Sequence, residues 1–147
     1  MEFAITARPG ADDSYATSWL ESALQTILWI SIGAMIGANL RYFVAQQLAR
    51  FGSPAFPYGT LVINITGSFV LGFFLIWTTE RVLADPRWRL LIAVGFCGGY
   101  TTYSSYAYET FVLVEQGQWL SSILNIVGSN VLCLLGVLLG ALLARSL

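Results

Sequence analysis

The chain has 147 residues, of which 56% are hydrophobic and 10% are charged, and its mean hydropathy is +0.70. A soluble domain carries about a quarter charged residues, so this composition indicates an integral membrane protein. The net charge of -1 argues against a nucleic-acid partner, which needs a basic surface. Because histidine is absent, catalysis by imidazole and metal sites built on imidazole are excluded.

The first segment, residues 1–22, is polar and contains a proline, a glycine and an acidic pair. It lacks the basic start and apolar core of a secretory signal. We therefore expect a mobile N-terminal tail, followed by a transmembrane domain of residues 23–147.

Four apolar stretches follow the tail, each close to the roughly 20 residues that a helix needs to cross the hydrocarbon core. Short polar loops separate them, which leaves no room for a soluble catalytic domain. We therefore predict an all-α membrane protein with four transmembrane helices per subunit. The predicted spans are Leu24–Phe43, Gly59–Thr79, Trp88 to about Val114, and Leu120–Ala144.

The arginines give a weak orientation signal, because seven basic residues are divided between the two sides and the loop arginines have acidic neighbours. Insertion in either orientation is therefore open. A bundle of four short helices has little interior, so a pathway of any length requires a dimer. Gly33, Gly37, Gly136 and Gly140 form patterns that permit close helix packing. We expect that packing within one subunit, with a subunit interface as the alternative.

Polar side chains recur at every fourth residue of the second and fourth spans, which places each set on one helix face. Such groups at membrane depth either mark a pathway or pair between helices, and both interpretations stay open here. All are uncharged and nearly all are good hydrogen-bond donors, which favours a small anion over a cation. The two stripes are Thr60, Asn64 and Ser68, and Asn125, Ser129 and Cys133.

The stretch "GFCGGYTTYSSYAYET", residues 95–110, interrupts the third span with glycines and polar residues. Membranes tolerate a broken helix where its backbone lines a cavity or holds an ion. Carbonyls near Gly98 and Thr101 suit a bare cation. The alternative, which the glycines alone favour, is a kink satisfied by threonine hydroxyls. Tyr103 and Tyr106 share nearly one helix side, where their ring edges either face an anion or pack in the core.

Taken in order, these motifs resemble the small bacterial fluoride channel family called Fluc or CrcB. "GAMIGANLRY" resembles the end of the family's first helix, and "GTLVINITGSFVLGF" resembles its second-helix signature. The stretch at residues 95–110 resembles the break in the third helix, and "NIVGSNVLCLLGVLLG" resembles the fourth helix. The resemblance covers about residues 24–144. It implies a passive, fluoride-selective channel of the bacterial inner membrane, rather than an enzyme, that gives fluoride resistance.

The resemblance also implies an antiparallel homodimer of subunits inserted in both orientations, with two fluoride pores and a structural sodium ion at its centre. By position, the backbone carbonyls of Gly98 and Thr101 would bind the sodium ion. Arg41 would lie near an aqueous vestibule and attract anions. The fluoride pathway would comprise Asn64, Thr102, Tyr103, Ser104, Tyr106, Glu109 and Ser129, together with Thr60 and Asn125 of the polar stripes.

Two features depart from the family pattern. Family members usually carry phenylalanine where this chain has Tyr103 and Tyr106, and many carry tyrosine at the position of Asn125. A tyrosine keeps the ring edge and adds a donor hydroxyl, so we expect fluoride still to pass.

The main alternative is a small proton-coupled multidrug exporter, which also has four short helices and often dual topology. Those exporters depend on a glutamate deep in the first helix, whereas residues 24–43 contain no acidic residue. An intramembrane enzyme would need a histidine, a serine–lysine pair or an aspartate pair within the spans, and none is present. A non-conducting structural subunit stays open, and ion flux into liposomes would distinguish it from a channel.

Overall fold

The computed structural model describes residues 13–51, 56–81 and 85–147, and this part of the chain is all-helical, without a strand. Of the predicted tail, residues 1–12 lie outside the described residues, and residues 13–22 belong to the first helix. The elements are α1 (Asp13–Phe51), α2 (Tyr58–Ile76), the π-helical turn π1 (Trp77–Arg81), α3 (Pro86–Trp88), the π-helical segment π2 (Arg89–Cys97), α4 (Gly98–Tyr100), α5 (Tyr103–Glu115) and α6 (Trp119–Ser146).

Three helices in the described part are long and apolar enough to cross a membrane, and they coincide with the first, second and fourth predicted spans. The third predicted span lies over α3, π2, α4 and α5. Thr101 and Thr102, both with extended backbone angles, separate α4 from α5, so neither piece reaches the length of the other spans. The three long helices are Thr17–Arg50, Tyr58–Glu80 and Trp119–Ser146.

Glycines bring α1 into backbone contact with π2 and α4. A Cβ added to Gly95 would lie 2.6 Å from the carbonyl oxygen of Ile30, and one added to Gly37 would lie 2.8 Å from the amide nitrogen of Tyr100. Real Cβ atoms do not approach so closely, so these helices meet only because the contact residues are glycine. The contacts advance together along both segments, which shows that α1 and the first half of the third span run parallel.

The same device packs α2 against α6. A Cβ added to Gly140 would lie 2.7 Å from the amide nitrogen of Phe73. Near the end of α6, Arg145 donates to both carboxylate oxygens of Glu80 in π1, the turn that continues α2, with N–O distances of 2.9 and 3.1 Å. The prediction that the glycine patterns pack within one subunit is therefore confirmed.

Candidate functional site

A cavity of about 360 Å³ lies between α2, α5 and α6, beside the interruption of the third span. Polar side chains and two tyrosine rings line one part of it, and aliphatic side chains line the rest. Five of the predicted pathway residues are among the lining. Its polar and aromatic residues are Asn64, Ser68, Thr101, Thr102, Tyr103, Tyr106, Ser129, Asn130 and Cys133.

Asn64 of α2 makes two hydrogen bonds to the backbone of Thr102. Its Oδ1 accepts from the Thr102 N–H at 2.8 Å, and its Nδ2 donates to the Thr102 carbonyl at 3.0 Å. In an uninterrupted α-helix, the Thr102 N–H would instead donate to the carbonyl of Gly98. Asn64 therefore stabilises the interruption from a neighbouring helix, and no residue in the described ranges accepts its second amide hydrogen.

Thr102 begins the second half of the span by capping α5. Its Oγ1 accepts from the Ser105 N–H at 3.2 Å and donates to the Ser105 hydroxyl at 3.1 Å. A threonine at this position satisfies a first-turn N–H that has no partner inside the helix. The Ser104 hydroxyl lies 3.3 Å from the Thr102 hydroxyl, but Ser104 is exposed and is not among the cavity lining. The pathway role of Ser104 stays a prediction.

Thr101 and Gly98, the predicted cation ligands, differ in their contacts: Thr101 is hydrogen-bonded, whereas Gly98 is exposed. The N–H and the hydroxyl of Thr101 both donate to the Cys97 carbonyl, at 3.0 and 2.8 Å, so a threonine hydroxyl does satisfy one carbonyl there, as the kink interpretation requires. The Thr101 carbonyl accepts from Nη1 of Arg41 at 3.4 Å. Gly98 is exposed, and a Cβ added to it would meet nothing within 4 Å. Arg41 thus lies beside the predicted cation ligands.

Tyr103 and Tyr106 form a tilted aromatic pair at the cavity, with ring centroids 5.4 Å apart and planes at 53°. Their hydroxyls are in different situations. The Tyr106 oxygen accepts from Nδ2 of Asn130 at 3.3 Å. Tyr103 is 79% exposed, and no residue in the described ranges hydrogen-bonds to its hydroxyl. The structure therefore brings the predicted ring pair to the cavity, and Asn130 holds the Tyr106 ring through its hydroxyl oxygen.

The buried ends of the polar stripes pair between helices. Thr60 of α2 donates to Oε1 of Glu109 on α5 at 2.7 Å. Asn125 of α6, which is 2% exposed, donates to the Thr110 hydroxyl of α5 at 2.8 Å and accepts from Ser129 at 3.3 Å. For Thr60 and Asn125, which do not line the cavity, the structure thus shows helix pairing. Their part in a pathway stays a prediction.

Glu109 borders a second cavity, of about 300 Å³, together with Phe56, Pro57 and Gln116. Its Oε2 is buried and has no hydrogen-bond partner within the described part of the chain. A buried carboxylate oxygen in this state calls for a proton, a water molecule or a cation. The two cavities are lined by different residues, so the place of Glu109 on one continuous pathway also stays a prediction.

Sequence reasoning missed Asn130, which follows Ser129 directly on α6 but does not belong to the predicted stripe. Its Nδ2 donates to the Ile126 carbonyl at 2.7 Å and to the Tyr106 hydroxyl oxygen. A signal was available, because an asparagine amide within a span has more hydrogen-bonding groups than its own helix can satisfy.

The family model described as CrcB-like protein, Camphor Resistance (CrcB), matches residues 28–141. A curated relative from Koribacter versatilis, named fluoride-specific ion channel FluC, is 54% identical over 125 residues, which are 85% of this chain and 99% of the relative. Relatives with the same name from Sulfurihydrogenibium and Roseiflexus species are 45% and 46% identical. They cover 84% and 82% of this chain, and 100% and 98% of their own lengths.

Proposed function

The chain belongs to the CrcB-like protein family, and from this membership we propose that it is a fluoride-specific channel through which the ion passes passively. The relatives named as fluoride-specific ion channels match it over nearly their whole length. With three long apolar helices, the chain is a multi-pass membrane protein. The observation that carries the proposal is the donor-lined cavity beside the interrupted third span.

The chemistry of this cavity suits fluoride. The ion is small, strongly hydrated and a strong hydrogen-bond acceptor, so it loses water only where several donors replace it. Among the lining residues none is charged, and Asn64 and Ser68 offer N–H or O–H groups. The positive edge of an aromatic ring adds a further attraction for an anion. Chloride is larger and a weaker acceptor, so its hydrogen bonds to the same lining offset less of the free energy that its dehydration costs.

A passive pore is sufficient for fluoride resistance. Hydrofluoric acid enters cells as a neutral molecule and dissociates inside, which traps the anion. An open channel in the bacterial inner membrane lets cytoplasmic fluoride leave down its electrochemical gradient. The exporter alternative lacks support, because residues 24–43 carry no acidic residue and the relatives are named as ion channels.

We further propose that the working unit is an antiparallel homodimer of subunits inserted in both orientations. In the single protomer, α5 exposes 79% of Tyr103, 67% of Tyr108 and 55% of Phe111. Gly98, just before the interruption, is exposed too. A second copy on this face would cover the aromatic side chains and enclose the cavity, and the weak arginine bias permits both orientations.

Cross-linking in a cysteine-free background tests the antiparallel arrangement. Arg87 and Gln116 lie at opposite ends of the third span. Single cysteines at these two positions on different subunits should therefore cross-link to each other if the subunits are antiparallel. Cross-links confined to Gln116 with Gln116, or a monomer under all conditions, would contradict this part of the proposal.

The interruption also fits a structural sodium ion. Because Asn64 takes the Thr102 N–H, the Gly98 carbonyl is deprived of its ordinary helical donor. Carbonyl oxygens are ligands that hard cations prefer. We propose that the carbonyls of Gly98 and Thr101 from two subunits hold the ion, whose charge would offset the carbonyl dipoles gathered there.

Efflux from liposomes tests the function. Vesicles containing the purified protein are loaded with potassium fluoride or potassium chloride, valinomycin carries the potassium, and an ion-selective electrode records the anion. We expect rapid fluoride efflux and chloride efflux near that of protein-free vesicles. Comparable rates for the two anions, or no fluoride efflux, would refute the proposal.

A further inference from the structure

Asn130 links α6 to one ring of the tyrosine pair. One hydrogen bond from its Nδ2, to the Ile126 carbonyl at 2.7 Å, fixes the amide against its own helix. The other, to the Tyr106 oxygen at 3.3 Å, reaches across to α5. The amide thereby uses both of its N–H groups, and neither is directed at an ion.

The bond from Asn130 gives the Tyr106 ring a second point of attachment. The ring is attached to the backbone of α5 at one end and held through its hydroxyl oxygen at the other. The Tyr103 ring packs beside it, with the two planes at 53°. A ring restrained in this way cannot change rotamer without losing the bond to Asn130.

The hydroxyl would otherwise find partners inside the cavity. A polar group away from water is costly to leave without a partner, so an unheld phenol turns toward a donor or acceptor within its reach. Besides Asn130, the residues that line the same cavity as Tyr106 include Asn64 and Ser129. Those are the groups that the proposed channel needs for a dehydrated anion, so a phenol bonded to them would compete with fluoride.

We infer that Asn130 is a positioning residue: it holds the Tyr106 hydroxyl aside, so that the ring presents its edge to the cavity and the polar lining stays available to the anion. The inference rests on the proposed channel function. It assigns a role to a residue outside the polar stripes, one that matters because this chain has a tyrosine at position 106.

Four proteins test the inference by fluoride efflux: the native chain, Asn130→Leu, Tyr106→Phe and the double variant. Asn130→Leu should lower the flux about five-fold, the factor that corresponds to one hydrogen bond of about 1 kcal/mol. In the Tyr106→Phe background there is no hydroxyl to hold, so adding Asn130→Leu should change the flux less than about two-fold. Replacing tyrosine by phenylalanine would thus rescue the loss of Asn130.

Asn39 supplies a matched control. Its Nδ2 donates to the Met35 carbonyl at 2.7 Å, the same bond to its own helix that Asn130 makes. It is exposed on α1 and does not line the cavity. Asn39→Leu should therefore leave the flux of the native chain unchanged. Equal losses for Asn130→Leu in both backgrounds, or no loss with tyrosine present, would overturn the inference.

A spectroscopic readout separates this inference from the channel proposal. With 3-fluorotyrosine at position 106, the ¹⁹F chemical shift should change when Asn130 is replaced by leucine, whereas the probe at Tyr108, which is 67% exposed, should not respond. An unchanged shift at position 106 would overturn the assigned contact. The native chain failing to conduct fluoride, with the shift change present, would refute the channel and leave the contact standing.

Discussion

The two halves of the third span adjoin in sequence but differ in role. In the first half, π2 and α4 pack against α1 through glycines, and a Cβ added to Gly99 would lie 2.7 Å from the carbonyl oxygen of Ala34. In the second half, α5 exposes its aromatic side chains and supplies two rings to the cavity. Packing in the first half fixes where the second half begins. Stability and ion passage should therefore respond to different substitutions.

Glycines show the contrast within a few residues. Gly95 is buried and a side chain there would meet the backbone of α1, with Ile30, Gly33 and Ala34 as its neighbours. Gly98 is exposed and has open space within the protomer. The same residue type therefore permits close helix contact at one position and lies in open space at the other.

The largest expected effect is a loss of flux without a loss of fold, from Asn64→Asp. Aspartate still accepts the Thr102 N–H but cannot donate to the Thr102 carbonyl, and it brings negative charge into the proposed path of the anion. An unpaired like charge in a low-dielectric path costs several kcal/mol. We expect no measurable fluoride efflux from a protein that elutes normally on size exclusion.

A matched variant sharpens this test. Asn64→Ser keeps a donor and adds no charge, so it should retain a measurable part of the flux. Near-normal flux through a well-folded Asn64→Asp protein would remove Asn64 from the pathway.

Gly95→Ala tests the structural half. The added methyl group would overlap the Ile30 carbonyl, and overpacking of this kind costs about 1–3 kcal/mol. We expect a lower thermal midpoint and a reduced yield of folded protein. Gly128→Ala is the control, because it adds the same methyl group to a helix at a position with nothing within 4 Å. If both variants lowered the midpoint equally, the close approach of α1 and π2 would not explain the effect.

Gly98→Ala should have a smaller effect, confined to assembly. A single protomer has room for the methyl group, so its helices should fold as before. If the Gly98 carbonyls of two subunits hold a cation, the methyl group should weaken the added stability that sodium gives the dimer. The measurement is the thermal midpoint in sodium against N-methylglucamine. Thr101→Ser, which keeps the hydroxyl that donates to Cys97, should retain the sodium effect. Loss of the effect in Thr101→Ser alone would contradict carbonyl ligation.

Local sequence pattern was enough to predict much of this arrangement. Apolar length predicted the first, second and fourth spans, and the four-residue repeat predicted that Asn64 and Ser129 each lie on a polar helix face, both of which the structure brings to the first cavity. The pairing of the Asn64 amide with the Thr102 backbone was not predictable, since the two residues lie 38 positions apart and meet only through tertiary packing. The Asn130–Tyr106 contact was missed for the same reason, because it depends on how α6 sits against α5.

The smallest expected effect comes from Tyr106→Phe, and it decides which part of the tyrosine faces the ion. Phenylalanine keeps the ring edge and lacks the hydroxyl that Asn130 holds, so it should conduct fluoride at least as fast as the native chain. Tyr106→Ile is the matched control, because isoleucine fills similar apolar space without a ring quadrupole. Edge-to-face contacts between aromatic rings are worth about 0.5–1.5 kcal/mol, and the same range for an edge that faces an anion means that isoleucine should slow the flux about two- to twelve-fold. If the hydroxyl instead took part in coordination, phenylalanine would fail as badly as isoleucine. Equal losses in liposome efflux would therefore show that the hydroxyl, rather than the ring edge, is what α5 presents to the anion.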